Sequence, residues 1–262
     1  MARYLRLLAV QVRASVLLTL QYRVDFVVSA VLSLFWTMTA IVPLLVLFQR
    51  RGTVAGWTWP ESLLVVGWFT VLKGVLDGAI QPSLTNVVEQ IRKGTLDFLL
   101  IKPADAQFLV STAKFEPRKI VDVLGGFALL GYALHRLGHL PSGASMLTSA
   151  ALFLGAVVIL YSLFILVACL AFVVVRVDNL SYLFASVYDA ARWPSSVFRG
   201  ALAMVFTFVI PLAVMTTFPA LALLDRLAWT RVVFALCGAL CAAAIARFAW
   251  KRAIGHYTSA GG

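Results

Sequence analysis

Charge is scarce in this sequence: 13% of its 262 residues are Asp, Glu, Lys or Arg, about half of the roughly 25% usual in a soluble domain. With 62% hydrophobic residues and a mean hydropathy of +0.95, a single water-soluble core of this size cannot enclose so much apolar surface. Cysteine is also rare. Cys169, Cys237 and Cys241 lie in apolar runs with no CxxC or Cys/His spacing, which argues against a disulfide framework or a zinc site and for small packing residues. The three histidines, His135, His139 and His256, sit at span ends or in the tail. An intramembrane protease, which needs a nucleophile and a base inside the bilayer, is therefore disfavoured. His135 and His139 lie four apart but lack a nearby third ligand, so an ordinary loop pair is the simpler reading and no metal is expected. Missing too is any G-x-x-x-x-G-K-[ST] run, so the chain cannot bind and hydrolyse ATP through a phosphate loop, and no catalytic residue is assigned.

What is present is hydrophobic length. Runs on the order of 20 apolar residues can cross a bilayer, and six candidates follow: 26–48, 62–80, 120–140, 146–175, 200–224 and 227–250. The third is the weakest, since only 123–134 is free of charge. In the last, Arg231 and Arg247 are expected to snorkel to opposite interfaces. Residues 1–24 resemble a signal peptide only superficially, because Arg13 interrupts the apolar stretch and no cleavage site precedes Arg23. Arg3, Arg6, Arg13 and Gln21 fall within about 80° on a helical wheel, which predicts an amphipathic helix lying in the membrane interface. The expected fold is an all-α membrane protein in one domain, an interfacial helix followed by six transmembrane helices.

The net charge of +11 is read through this topology and not as a nucleic-acid signal. Segments on the N-terminal side hold sixteen basic residues, from Arg3 to Arg23, from Arg92 to Lys119, then Arg176, Arg192, Arg199, Arg247, Lys251 and Arg252. The other side holds five, Arg50, Arg51, Arg136, Arg226 and Arg231, and Lys73 is intramembrane. The positive-inside rule then puts both termini in the cytoplasm.

Four features stand out as candidates for function. Lys73 and Asp77, four apart in the second span, share a face and can pair, either as a pathway element or as a self-neutralising couple. Gly74 and Gly78 form a small-xxx-small seam for close helix packing. After that span, Glu89, Arg92 and Lys93 have helical spacing, Gly94 breaks the helix, and Thr95 can cap a new turn at Asp97. Leu96, Phe98, Leu99, Leu100 and Ile101 then offer an apolar surface, Lys102 follows, and Pro103 stops the element. Such a segment suits docking of a soluble partner, or is a solvated loop at the headgroups. Finally, Pro211 and Pro219 interrupt the fifth span, so its backbone is either merely kinked or is broken and lines a cavity.

Here the residues resemble a family. Ile91-Arg92-Lys93-Gly94-Thr95-Leu96-Asp97-Phe98-Leu99-Leu100-Ile101-Lys102-Pro103 is similar to the "I-R-x-G-x-L-D-x-x-L-x-x-P" stretch of ABC-2-type permeases. Ala191-Arg192-Trp193-Pro194-Ser195-Ser196-Val197-Phe198, then Val209-Ile210-Pro211 and Phe218-Pro219-Ala220, continue the likeness along the chain. The resemblance implies a half-size exporter permease of the bacterial cytoplasmic membrane. It would pair with a second permease, identical or paralogous, and with two separate ATPase subunits that carry ATP and Mg; no cofactor is implied on this chain. It also implies that the loop after the second span touches the ATPase, and that a short re-entrant element precedes the sixth span. A secondary carrier or substrate-capturing membrane subunit is the alternative, but neither internal repeats nor polar midplane positions beyond Lys73 and Asp77 favour it. Trp36, Trp68 and Phe69 would suit an amphipathic or lipid-like cargo, or would simply face lipid.

Overall fold

The computed structural model describes residues 2–21, 23–50, 52–138, 140–172, 188–198, 200, 206, 211–255 and 257. Among these, helices dominate. A first helix, α1 (Ala2–Gln21), leads into α2 (Arg23–Arg50). After a loop comes α3 (Trp59–Val75), whose start is fixed by a Thr58/Glu61 capping box and Pro60 in its first turn. A π turn, Leu76–Ile80, joins α3 without a break to α4 (Gln81–Lys93). Two short helices follow, α5 (Asp97–Leu100) and α6 (Ala106–Ser111), then α7 (Ile120–Leu137) and α8 (Gly143–Leu170). The C-terminal part holds a second π turn (Ala213–Thr217), α9 (Phe218–Leu223) and α10 (Trp229–Gly255).

Among the described residues, five helical segments are long and apolar enough to cross a membrane: Arg23–Arg50, Trp59–Lys93, Pro117–Leu137, Gly143–Leu170 and Trp229–Gly255. They coincide with five of the six expected spans, including the weakly hydrophobic third. The second differs in length. At about 1.5 Å per residue its 35 residues reach roughly 52 Å, longer than the ~30 Å of hydrocarbon that a crossing needs.

Loop contacts define two ends of the bundle. The distal end carries residues 52–58, 140–142 and 224–228: Arg226 pairs with Glu61 at 2.7 Å, and Asp225 accepts a hydrogen bond from Ser145 Oγ. The proximal end carries α1, α5, α6 and the start of α7, with Ser15 Oγ accepting from the Phe115 N–H at 3.3 Å.

Packing is uneven. Without water between helices, association depends on close van der Waals fit, which small residues permit. The α3–α7 contact is built this way. A Cβ added at Gly74 would stand 2.6 Å from Val123 Cγ2, and one at Gly126 would stand 2.7 Å from the Val71 nitrogen. A Cβ at Gly67 would meet Leu130 at 2.8 Å, and one at Gly78 would meet Lys119 Cβ at 3.1 Å. Gly67 and Gly126 thus extend the Gly74–Gly78 row into a two-sided seam. In contrast, α2 lies on the outside with 6% of its apolar window buried, against 72% for Trp59–Lys93. Of the cysteines, Cys237 and Cys241 are exposed on α10 and only Cys169 is half-buried, so two of the three are not packing residues within this chain.

The expected fifth span, 200–224, falls partly outside the described residues. Among its described residues, 200, 206 and 211–224, the π turn Ala213–Thr217 and α9 form one short, mostly apolar helical segment, Ala213–Leu223, which by itself is shorter than a crossing needs. Ser149 Oγ donates to the Pro219 carbonyl at 2.7 Å, and Ala220 and Leu223 pack with Trp57 and Leu63 at the distal end. Residues 188–198 climb the same way. Asp189 meets Lys73 of α3, while Ser196 bonds to Trp57 and to the Ala55 carbonyl in the distal loop. Arg192, counted above in an N-terminal-side loop, therefore lies within the bundle; Arg176 and Arg199 are outside the described residues.

Candidate functional site

The proximal platform is built from α4 onward. Gly94 ends α4 in the left-handed region (φ 66°), which a Cβ would disfavour, and its N–H and that of Thr95 bond back to Ile91 and Gln90. Thr95 does not cap the next turn: its hydroxyl reaches back to the Gln90 carbonyl at 3.5 Å, and Leu96 occupies the cap position of α5. A one-turn helix then sorts its apolar residues by face. Leu96 and Leu99 enter the main core with Leu109 and Val110, whereas Phe98 and Ile101 are 71% and 79% exposed. Of the residues expected to offer an apolar surface, Leu96 and Leu99 are instead an internal anchor, Leu100 is half-buried, and Phe98 and Ile101 protrude. Around it, Glu89 and Lys93 form an exposed 2.6 Å ion pair; Arg92, Lys102 and Pro103 are exposed, and Asp97 is half-buried.

A brace that sequence reasoning missed holds this platform. Asp105 caps α6, its Oδ1 accepting from the Phe108 N–H at 3.0 Å. Both oxygens of the same carboxylate also accept from Arg247 of α10, and Arg247 donates to Gln107 Oε1 at 2.8 Å. Gln107 and Ser111 bond to the Tyr161 hydroxyl of α8, and the Tyr4 hydroxyl of α1 accepts from the Asp105 N–H. The Arg247 hydrogen bonds hold the Asp105 carboxyl below its ordinary range, aided by the Phe108 N–H and opposed by partial burial. Arg247 does not simply snorkel to water; it ties the last span to the platform.

The second site is a cavity of about 540 Å³ between α2 and the α3–α7 seam. Ser29, Ser33 and Thr37 of α2, four apart and half-buried, turn their hydroxyl face to it. The opposite wall holds Phe69, Thr70 and Lys73, with Asp122 of α7 and the pair Asp189 and Arg192. Lys73 and Asp77 are not partners here. Lys73 pairs with Asp189 at 3.3 Å, and Asp77 with Lys119 at 3.2 Å. The wide turn Leu76–Ile80 begins between them and swings Asp77 toward α7. Lys119 also meets Asp122 at 3.5 Å, and Asp122 accepts from Ser33 Oγ. Arg192 meets the same Asp189 oxygen at 3.3 Å while its guanidinium lies 5.6 Å over the Phe69 ring. A smaller cavity of about 360 Å³, lined by Asp77, Asn86, Glu89 and Lys114, continues toward the platform, and Lys119 borders both.

Of the remaining sequence candidates, Pro211 opens the turn before Ala213–Thr217, its carbonyl accepting from Val214 and Met215, and Pro219 sits in the first turn of α9. His139 lies outside the described residues, among which no group of three metal-ligating side chains occurs. The Ser29–Ser33–Thr37 row was legible as hydroxyls at helical spacing in an apolar span; the Asp105–Arg247 pair left no local signal. No curated protein and no solved structure matches the chain. Residues 34–261 do match a family described as ABC-2 family transporter protein. With that match over most of its length, and with the bundle of apolar helices just described, the chain belongs to the ABC-2 transporter family, whose members are the membrane components of ABC transporters and leave ATP hydrolysis to separate subunits.

Proposed function

We propose that this chain is the permease half of an ATP-driven exporter, working with a second permease copy and two ATPase subunits that bind ATP and Mg. In this reading both termini and the proximal end face the cytoplasm, and the membrane is the bacterial inner membrane. The carrying observation is the platform after α4. A short turn exposes Phe98 and Ile101 to solvent while Leu96, Leu99 and the Asp105–Arg247 pair fix it to the core and to the last span. An exposed apolar pair on a rigidly mounted element is what a soluble partner can push or pull. Glu89, Arg92, Lys93 and Lys102 around it would supply the polar rim, and Gly94 sets the angle at which the element leaves α4. The cavity beside α2 is the cargo path in this reading, with an amphipathic or lipid-like molecule as its occupant.

The test is assembly. The purified chain alone should hydrolyse no ATP, and hydrolysis should appear when it is coexpressed with its ATPase. Robust hydrolysis by the isolated chain would overturn the assignment, as would an ATPase that binds equally well after residues 94–103 are replaced by a Gly-Ser linker.

A further inference from the structure

We propose that the cavity between α2 and α3 binds an amphiphile with an anionic headgroup, and that Lys73 and Arg192 receive the anion. Charge accounting supplies the first argument. Lys73 and Arg192 share one oxygen of Asp189, each at 3.3 Å, so this cluster of described residues carries two cations against one acid. The neighbouring cluster is the reverse, Lys119 lying between Asp77 and Asp122. Arg118 adds no surplus, being hydrogen-bonded twice to Glu116. The two clusters balance each other in sum, but the surplus cation sits at the Lys73–Arg192 end, on side chains open to the cavity, where an arriving anion would complete the pairing.

The shape supplies the second argument. Ser29, Ser33 and Thr37 line the wall facing the charges, offering hydroxyls to the polar part of a ligand. Leu32 and Trp36 also line it, yet remain 50% and 66% exposed on the outer face of α2, so the mouth is apolar and opens toward the bilayer. A free anion would have no use for such a mouth; a tail would. The volume of about 540 Å³ suits a headgroup with its first methylenes.

The proposal rests on the permease reading only in calling this ligand cargo, and its test omits the ATPase so that the two can fail separately. The full chain in nanodiscs of phosphatidylcholine is titrated with a nitroxide-labelled alkyl phosphate while Trp36 fluorescence is followed, with Trp36→Phe defining the local signal. Saturable quenching is expected, with an equally labelled alkyl trimethylammonium binding at least about tenfold more weakly, the discrimination of one charge-assisted contact. Lys73→Met leaves Arg192 and Asp189 as a balanced pair and should weaken alkyl phosphate by about tenfold. Asp189→Asn removes the shared acid and should tighten it, an effect no merely structural role would produce. Equal binding of cation and phosphate, absence of quenching, or two variants with unchanged affinity would each overturn the proposal. Displacement by inorganic phosphate at the concentration that the alkyl phosphate needs would overturn the amphiphile and leave a free-anion site.

Discussion

Arg247 and Asp105 lie 142 positions apart and meet through paired hydrogen bonds, one of them 3.0 Å long. The contact joins the proximal part of the last span to the capping residue of a six-residue helix that follows the exposed turn. Motion of that turn is thereby linked to α10 by a bidentate ion pair, to α8 by Tyr161 and to α1 by Tyr4.

Separating the cap from the ion pair tests this link. Asp105→Asn keeps a good capping side chain but loses the charge, whereas Asp105→Ala loses both. Because the two side chains are 34% and 40% exposed, the pair contributes about 1 kcal/mol at most. Asn is thus expected to lower stability by up to about 1 kcal/mol and Ala by about 1 kcal/mol more, read from thermal unfolding in detergent. ATPase-coupled transport should fall in both by more than these losses explain. Equal stability of wild type and Ala would remove the brace from the argument.

The same carboxyl fixes a pH dependence. Its folded pKa is lowered by Arg247, so the stabilisation is fully present above the ordinary carboxylate pKa of about 3.9 and is lost only as pH falls through the lowered value. The gap in melting temperature between wild type and Asp105→Asn should stay constant from about pH 7 to pH 5 and close below about pH 4. A gap that closed near neutrality would mean another group carries the effect.

Adjacent glycines on α7 give a sharp steric contrast. Gly125 has nothing within 4 Å of an added Cβ, while at Gly126 that Cβ would meet the Val71 backbone nitrogen at 2.7 Å. Gly125→Ala should be neutral or stabilising by a few tenths of a kcal/mol up to about 1. Gly126→Ala should cost about 1–3 kcal/mol, because backbone cannot yield as a side chain does. Thermal unfolding of the two variants side by side decides it; matching values would mean the α3–α7 seam is looser than described.

Much of this architecture was legible because a bilayer leaves few choices. Length and hydropathy alone located the helices now at 23–50, 59–93, 117–137, 143–170 and 229–255, and Gly94 announced the end of α4 by its chemistry. What stayed hidden depends on contacts between distant residues. Four-residue spacing made Lys73 and Asp77 look like partners, but a π turn, which has no sequence signature at that resolution, sent them to Asp189 and Lys119. The break expected at Pro211 and Pro219 falls within residues 211–223, which pack at the distal end, whereas most of 200–210 lies outside the described residues.

Val197 stands next to Ser196, which bonds to the loop holding Ala55, so both belong to the distal end. In a cysteine-free background, Thr53→Cys, Ser142→Cys and Val197→Cys should react with a membrane-impermeant thiol reagent from outside intact cells. Lys102→Cys should react only after permeabilisation. Protection of Val197 together with Lys102 would restore the loop containing Arg192 to the cytoplasmic side and contradict the packing of residues 188–198.

The exposed pair at the proximal end yields the most direct test of coupling. Phe98 and Ile101 contribute little to the folded chain, being 71% and 79% exposed, while Leu96 between them and the core is fully buried. Phe98→Ser with Ile101→Ser should therefore leave stability within about 0.5 kcal/mol of wild type, as surface changes do. Leu96→Ser, in contrast, removes a buried anchor and places an unpartnered hydroxyl in the core, costing about 2–5 kcal/mol. If an ATPase seats on this face, the double surface variant should express and insert normally yet copurify with at least about tenfold less ATPase, since truncating central apolar anchors of an interface costs 2 kcal/mol or more. The Leu96 variant should instead lose expression and partner together. The readout is the ratio of ATPase to permease after affinity purification, with transport into inverted vesicles measured on the same preparations. A double variant that keeps its ATPase and its transport would show that Phe98 and Ile101 face nothing but water and headgroups, and the docking face would have to be sought elsewhere on the proximal end.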